Sequence, residues 1–236
     1  MPRPVVLAAV FLLSLLCWLI WSFPAAPVLQ RVESIPLGEE SLRIGEVRGL
    51  VREGSLDWYW QAYQGRLDWR LAWKGARPGL DLRLYGHDAQ LQGWASGTPG
   101  SLLLRDLRLD APVSLVGDEL PDHGAEGRVT GTLGRLSWRP GQVPAVDGSL
   151  RYSGGRMAWP EGEADVPPLE GDLYNEGDAG WLVVRDPQGT RLMDGRLSAE
   201  EAEFRLYRAW PVLLGVSEGG NPDDVIFQVT ERLTAP

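Results

Sequence analysis

The feature that most constrains this chain is an alternation of apolar and polar residues that recurs along most of its length. In residues 65–73, every second position is apolar: Leu67, Trp69, Leu71 and Trp73. The charged residues Arg66, Asp68 and Arg70 alternate with them. Because successive side chains of a β-strand point to opposite faces, this pattern predicts a strand with one buried face. We expect Trp69, Trp73 and the later Trp138 on the buried side, with the three charged residues in solvent.

Similar alternations predict roughly 11 to 14 short strands along the chain. The 29 glycines and 18 prolines fall largely between these runs, where hairpin turns are needed. The predicted fold class is therefore all-β: an antiparallel meander forming a curved sheet, a partial barrel or a sandwich. Residues 199–209 have a helical composition but alternate, so we predict a strand there. Residues 211–216 are predicted to add one short helical turn.

A second regularity is a motif of glycine, any residue, an apolar residue, any residue and an aromatic. It begins at four glycines, Gly54, Gly65, Gly134 and Gly148. The structural strand motif drawn from it comprises Gly65, Leu67, Trp69, Leu71, Trp73, Gly134, Leu136 and Trp138. Each unit is predicted to open a strand at a glycine turn or bulge, with the aliphatic and aromatic residues on one face. The tryptophans then either form the core or line a groove for lipid or a partner.

The N-terminal segment predicts a membrane anchor. Residues 5–23 form an uncharged run of 19 residues, close to the length needed to span a bilayer. Val5 and Leu12 lie in the run, and its far end carries the bulky residues Trp18, Trp21 and Phe23. A cleaved signal peptide is the alternative, but its apolar region is normally shorter and followed by small residues.

We therefore expect three regions in the chain: an anchor at residues 1–23, a linker at 24–42 and an all-β domain at 43–236. No second apolar run of comparable length follows, which indicates a single-pass protein. In a Gram-negative cell this arrangement predicts an inner-membrane protein with a periplasmic C-terminal domain.

Composition argues against nucleic acid as a partner. The chain has 23 basic and 32 acidic residues and a net charge of −9, whereas binding to a phosphate backbone depends on Lys and Arg. The one cysteine, Cys17, lies in the apolar segment, so the predicted domain has no internal disulfide. His87 and His123 are far apart and have no His or Cys neighbours at zinc spacing, so we expect no metal and no cofactor.

Two strings look catalytic but lack the required context. Residues 215–219 match the nucleophile elbow G-x-S-x-G, which needs an entering strand, a leaving helix and a downstream histidine. Here Pro222 follows closely and both histidines lie upstream. Asp223 and Asp224 are adjacent, in a composition typical of a turn. We therefore expect no catalytic residues and a protein that is not an enzyme.

Four features carry a family resemblance: the N-terminal anchor, the segment 49–56, the strand 65–71 and the repeated glycine-leucine-aromatic units. Together they resemble the type II secretion system protein N family. The resemblance extends over roughly residues 47–229. It implies an inner-membrane component of the general secretion pathway, exposed to the periplasm. The implied partners are other inner-membrane or outer-membrane subunits of this machinery, and the implied role is a non-enzymatic scaffold or accessory subunit supporting the export of folded proteins.

An alternative comes from a different class of protein. A long β-meander on one anchor also resembles the AsmA-like envelope proteins, whose sheets are thought to conduct lipid between membranes. Such a conduit needs an apolar trough that side chains do not fill, whereas a packed barrel fills its interior. Both architectures demand the same alternation, so lipid binding stays open at this point.

Overall fold

A computed structural model describes residues 22–29, 34–37, 40–60, 63–98, 100–114, 124–139, 141–159 and 162–232. The chain divides into two compact units, residues 1–87 and residues 88–236, here called unit 1 and unit 2. The predicted anchor residues Val5, Leu12, Trp18 and Trp21, as well as Cys17 and His123, lie outside the described residues.

Unit 1 is an antiparallel meander in which each strand pairs with the next in the chain. Its elements are helix α1 (Ala26–Leu29) and strands β1 (Ser34–Leu37), β2 (Glu40–Leu50), β3 (Glu53–Trp60), β4 (Tyr63–Lys74) and β5 (Arg77–Gly86). Pairing of Leu56 with Leu67 and of Leu67 with Leu84 brings alternate apolar residues to one face. The buried core on this face comprises Ala25, Val47, Leu56 and Trp69.

Unit 2 contains most of the strands and a second short helix. Its strands are β6 (Ala89–Thr98), β7 (Ser101–Pro112), β8 (Gly124–Ala125), β9 (Arg128–Trp138), β10 (Ala145–Tyr152), β11 (Gly155–Trp159), β12 (Gly162–Val166), β13 (Leu169–Glu176), β14 (Ala179–Arg185), β15 (Arg191–Leu197), β16 (Glu201–Tyr207) and β17 (Val225–Arg232). Helix α2 (Ala209–Leu213) lies between the last two strands. The main sheet has the order β6-β7-β9-β10-β13-β14-β15-β16-β17, and a small sheet has the order β12-β11-β8.

The register of the main sheet in unit 2 produces a continuous apolar row. The row runs across nine strands through Leu91, Leu109, Gly131, Leu150, Gly171, Val184, Met193, Leu206 and Phe227. A separate core cluster comprises Val166, Leu169, Leu192 and Ala209, so the small sheet and α2 pack against the main sheet at this point. Burial of this cluster stabilises the end of the sheet that carries β15 and β16.

The predicted all-β antiparallel meander is confirmed, with 17 described strands against the smaller number expected from sequence. The additional strands include very short ones, such as β1 and β8, whose alternation is too brief to detect. The strand predicted at residues 199–209 is present as β16, and the short helical turn is present as α2. The main sheet does not close on itself, because β17 pairs only with β16 among the described residues.

The predicted burial of the tryptophans is right for Trp69 and wrong for Trp73 and Trp138. Trp69 is 8% exposed, whereas Trp73 is 65% and Trp138 is 47% exposed. Trp73 is the second-last residue of β4 and Trp138 is the last residue of β9. At a strand end the side chain has fewer neighbours on its face, so alternation alone does not bury it.

The first described residues belong to the fold of unit 1. The Val51 amide donates to the Phe23 carbonyl and the Ala25 amide to the Gly49 carbonyl, at 3.0 and 3.1 Å. Ala25 is buried and Phe23 is 40% exposed. Within the described part of the chain, no helix combines the length and apolarity that a membrane crossing requires.

Candidate interaction surfaces

The glycine-leucine-aromatic motif has a defined geometry where β3 meets β4. The two strands run antiparallel with Leu56 opposite Leu67, so each glycine faces the other strand's tryptophan: Gly54 faces Trp69, and Gly65 faces Trp58. A Cβ atom placed on either glycine would lie 2.5 Å from the facing indole ring. The glycines therefore provide the space in which these two rings lie flat against the sheet.

Trp69 is fixed by hydrogen bonds as well as by packing. Its indole Nε1 donates to the carbonyl oxygens of Leu50 and Val51, at 3.2 and 3.1 Å. Leu67 and Leu71, on the same face of β4, are half-buried. The residues of the predicted motif on β4 thus share one apolar face. This face is buried at Trp69 and exposed at Trp73.

The second pair of motif units, on β9 and β10, is arranged differently. The register shifts between Asp147 and Gly148, and Gly134 is the unpaired extra residue opposite this step. Gly134 therefore occupies a β-bulge, as the sequence predicted for some of these glycines. Leu136 is half-buried opposite Val146, and the exposed Trp138 pairs with the exposed Leu102 at the strand ends.

The apolar face of the main sheet in unit 2 is only partly covered. Leucines on five of its strands are half-buried: Leu104, Leu107, Leu109, Leu133, Leu136, Leu150, Leu173 and Leu182. A cavity of about 390 Å³ opens on this face, and its apolar lining includes Leu136, Val146, Leu173, Trp181, Leu182 and Leu197. We call this cavity the leucine groove. Arg196 and Glu203 are the charged residues that line it.

The opposite face of unit 1 carries alternating charges. Arg70 on β4 pairs in register with Glu53 on β3 and with Asp81 on β5, and Arg66 lies 3.4 Å from Asp57. Such cross-strand pairs of opposite charge support the register, but contribute little when exposed to solvent. On β2, a hydrogen bond from Arg48 lowers the pKa of the Glu46 carboxyl below its ordinary value.

Among the described residues of unit 2 one charged group is buried, and the sequence analysis did not identify it. Asp194 on β15 is 1% exposed, and its Oδ2 accepts a hydrogen bond of 2.6 Å from the Tyr207 hydroxyl on β16. Arg191 Nη1 donates to the same oxygen at 3.3 Å, and its guanidinium carbon lies 5.7 Å from the centre of the Tyr207 ring. The hydrogen bond with Tyr207 raises the pKa of Arg191. Asp194 Oδ1 has no hydrogen-bond partner among the described residues.

A sequence signal for this site did exist. Aspartate is depleted within strands, yet Asp194 stands at the centre of the run 191–197. Alternation with Met193 and Gly195 places Asp194 on a polar face, where an aspartate needs no explanation. Its burial depends on Tyr207, Arg191 and the packing of α2 near β15, which sequence spacing does not reveal.

A side-chain hydrogen bond connects the small sheet to the main sheet of unit 2. The Tyr152 hydroxyl on β10 donates to the Glu126 carbonyl, next to β8, at 2.6 Å. Burial raises the pKa of Tyr152, and the nearby Glu126 charge adds to this effect. Tyr152 also packs against the core cluster that contains Leu169.

The residues considered for chemistry lie in turns or irregular segments. His87 is in the turn after β5, and Ser217 lies in the irregular segment after α2, so a helix and not a strand precedes it. Asp223 and Asp224 lie at a turn in which the Asp224 amide donates to the Asn221 carbonyl. Across the ranges that the structure describes, no group of three or more His, Cys, Asp or Glu residues has a metal-binding arrangement.

Comparison with protein families gives one match that covers most of the chain. The sequence profile described as type II secretion system (T2SS), protein N, matches residues 40–213, from the start of β2 to the end of α2. The chain belongs to the type II secretion system protein N family. Membership implies a component of this secretion system that interacts with its other components. Comparison with curated proteins and with solved structures gave no match.

In this family member, the matched region contains both candidate surfaces. The reciprocal glycine-tryptophan pairs of β3 and β4 and the leucine groove fall inside residues 40–213. Strand β17 falls outside them. The resemblance stated from the sequence is thereby confirmed at the level of the family.

Proposed function

We propose that this protein is a non-enzymatic scaffold or accessory subunit of the type II secretion machinery, which supports the export of folded proteins across the outer membrane. The observation that carries the proposal is the family match over residues 40–213. The proposed location is the inner membrane, with residues 24–236 in the periplasm, and the proposed partners are other inner-membrane or outer-membrane subunits of the machinery.

The surfaces of the sheets support an interaction role. In unit 2 the apolar face keeps its leucines half-buried and includes the leucine groove, about 390 Å³ in volume. Apolar surface that the described residues leave uncovered is typical of sites that bind a protein partner or a ligand. We propose that a segment of another secretion subunit binds here.

Crosslinking in native envelopes followed by mass spectrometry tests this proposal. The variant Leu197→Gln places a polar amide in the groove, and Val216→Gln makes a similar apolar-to-amide change at a residue 63% exposed outside the groove. In a strain lacking the chromosomal copy, we expect the wild type and Val216→Gln to recover other secretion subunits and to support exoprotein release. Leu197→Gln should recover fewer subunits while accumulating to the same level. Recovery of no secretion subunit by the wild type would contradict the proposal.

Lipid binding is the second candidate function, and the largely apolar lining of the leucine groove favours it. Acyl chains bind in apolar cavities of this kind without needing specific polar partners. Lipid extraction from the purified full-length protein, with mass spectrometry, distinguishes the two functions. Stoichiometric phospholipid that Leu197→Gln reduces, together with no captured subunit, would support an envelope lipid carrier instead of a scaffold.

A further inference from the structure

The chain enters unit 1 beside the turn between β2 and β3. The Val51 amide donates to the Phe23 carbonyl, and the Ala25 amide donates to the Gly49 carbonyl. The residues that follow the apolar run therefore lie antiparallel to the end of β2, with an isolated bridge at the centre of this pairing. Because the pairing is antiparallel, the chain comes to Phe23 from the end of unit 1 towards which β2 runs.

The hairpin of β4 and β5 projects from the same end of unit 1. Strands β2 and β4 run in the same direction, because both are antiparallel to β3 between them. The Leu71 amide donates to the Arg52 carbonyl at 2.5 Å, so the turn after β2 lies level with Leu71. Strand β4 then continues to Lys74, paired with β5, over a length of about 10 Å. The hairpin tip thus extends beyond the turn after β2.

This end of unit 1 combines exposed apolar side chains with basic ones. Val51 is 42% exposed and Trp73 is 65% exposed. Each is followed directly by a basic residue, Arg52 or Lys74. Arg77 lies opposite Lys74 across the hairpin and is exposed. We call these five residues the basic end of unit 1.

The positive charge of the basic end belongs mainly to the hairpin tip. Arg52 forms an ion pair of 3.4 Å with the neighbouring Glu53. Residues 72–79 contain two basic residues and no acidic one, in a chain whose net charge is −9. The connection at the opposite end of β4, residues 59–64, contains aromatic residues but no charged one. Basic charge is therefore concentrated at the hairpin tip that lies on the side where the chain enters.

We propose that the basic end lies in the headgroup region of the bilayer that holds residues 5–23, with Trp73 among the headgroups and Lys74 and Arg77 against lipid phosphates. This inference rests on the proposed inner-membrane location. An apolar run that spans a bilayer and ends at Phe23 places Phe23 at the membrane interface. Because Phe23 is hydrogen-bonded to Val51, the basic end meets the bilayer surface without an intervening linker.

The chemistry of the basic end matches a phospholipid surface. Tryptophan is enriched at membrane interfaces because its amphipathic ring fits the headgroup level. Each Lys or Arg close to an anionic bilayer surface strengthens attachment roughly fivefold. A contact added to an existing anchor needs little affinity of its own, because the anchor keeps the effective concentration of lipid high. A protein partner would have to displace this adjacent surface to reach the hairpin tip.

Fluorescence quenching tests the proposal with the full-length protein in vesicles of phosphatidylethanolamine and phosphatidylglycerol. In a Cys17→Ser background, Ala76→Cys places the only thiol at the hairpin tip, where it carries a small fluorophore. Gln64→Cys is the matched control, because Gln64 is exposed near the opposite end of β4. A phospholipid with a nitroxide in its headgroup is the short-range quencher. We expect strong quenching at position 76 and almost none at position 64.

A second pair of variants tests the role of the charges. Lys74→Gln combined with Arg77→Gln removes both basic residues from the hairpin tip. Arg66→Gln combined with Arg70→Gln is the matched control, because it removes the same charge from exposed positions of β4. We expect the first combination to lower the ratio of lipid-bound to free hairpin tip by more than about tenfold, from roughly fivefold for each charge. The control combination should leave the quenching at position 76 unchanged.

Two readouts separate this inference from the proposed location. Protein that does not float with the vesicles would contradict the inner-membrane location and this inference together. Protein that floats, but shows equal quenching at positions 76 and 64, would contradict this inference alone. Unchanged quenching without Lys74 and Arg77 would also overturn it. In native envelopes, crosslinking of position 76 to another secretion subunit, with no quenching by lipid in vesicles, would replace the bilayer with a protein partner.

Discussion

The indole ring of Trp58 lies directly over Gly65, the residue that faces it across β3 and β4. The same ring extends to Gly86 on β5, where a Cβ atom would lie 3.0 Å from ring atom Cζ2. One tryptophan thus covers glycines on two successive neighbouring strands. The glycines in this motif therefore accept a ring from the adjacent strand, which is a packing role distinct from a turn.

We predict that Gly65→Ala destabilises unit 1, whereas Gly195→Ala does not destabilise unit 2. The new methyl group at Gly65 would lie 2.5 Å from the Trp58 ring and would also clash with the Tyr85 carbonyl. At Gly195 the nearest atom is 3.8 Å away, which is ordinary contact. Overpacking typically costs about 1–3 kcal/mol, while removing a strand glycine without a clash is neutral or slightly stabilising.

Equilibrium unfolding in denaturant, followed by tryptophan fluorescence, measures both free energies. If Gly65→Ala and Gly195→Ala unfolded at the same denaturant concentration, the close packing of Trp58 on Gly65 would be wrong. Trp58→Leu in the Gly65→Ala background is a further control, because a smaller side chain should relieve the part of the cost that comes from the ring and leave the part that comes from the Tyr85 carbonyl.

The tryptophans of β4 show how far the sequence predicted the fold. Alternation predicted Trp69 and Trp73 on one face of the sheet. The unbroken register of β4 with β5 across these residues agrees with this placement. Alternation did not predict that Trp69 would be 8% and Trp73 65% exposed. That difference depends on the carbonyls of Leu50 and Val51, which belong to a turn that reaches Trp69 from 18 or 19 residues away. Periodicity specifies a face, whereas coverage depends on contacts distant in sequence.

We predict that Trp69→Ala costs about 3–5 kcal/mol of unfolding free energy, as other large-to-small core substitutions do. Trp73→Ala should cost less than about 1 kcal/mol, because its side chain is mostly in solvent. Thermal and denaturant unfolding of the two variants makes the comparison. Similar costs for both would mean that Trp69 is not the centre of the unit 1 core.

We predict that Arg70→Ala has almost no effect on stability. The Arg70 side chain is 76% exposed, and its guanidinium lies 3.9 Å from Glu53. Exposed ion pairs contribute little because water and salt screen them, so the expected change is less than about 0.5 kcal/mol. Chemical denaturation at low and high salt is the measurement, and a large loss that salt abolishes would indicate that the charged face contributes to folding.

The buried Asp194 represents the part of the structure that alternation could not predict. By alternation Asp194 belongs to a polar face, and polar faces are normally solvated. Here the side chains of Tyr207 and Arg191 reach over it, and Tyr207 comes from the next strand. Burial of an acid is tolerated when its oxygens receive hydrogen bonds, and one of the two receives them from these side chains.

A double-mutant cycle on Asp194 and Tyr207 tests whether this contact acts as a unit. Tyr207→Phe removes the hydroxyl that donates to Asp194 Oδ2 and leaves the buried carboxylate with Arg191 alone. The expected cost is about 1–3 kcal/mol, the range for a buried polar group that loses a partner. Asp194→Asn removes the charge but keeps the shape, and is expected to cost a similar amount.

The double variant should cost less than the sum of the two single variants, with a coupling of about 0.5–3 kcal/mol, because Tyr207→Phe removes the donor of the hydrogen bond that Asp194→Asn weakens by removing the charge. The free energies come from denaturant unfolding of all four proteins under the same conditions. The control for additivity combines Asp172→Asn with Tyr207→Phe. Asp172 is exposed and pairs with Arg185 on β14, so the unfolding free-energy costs of these two substitutions should add. Additive costs for Asp194 and Tyr207 would show that the 2.6 Å contact does not stabilise the fold, and that packing of the Tyr207 ring alone buries the carboxylate.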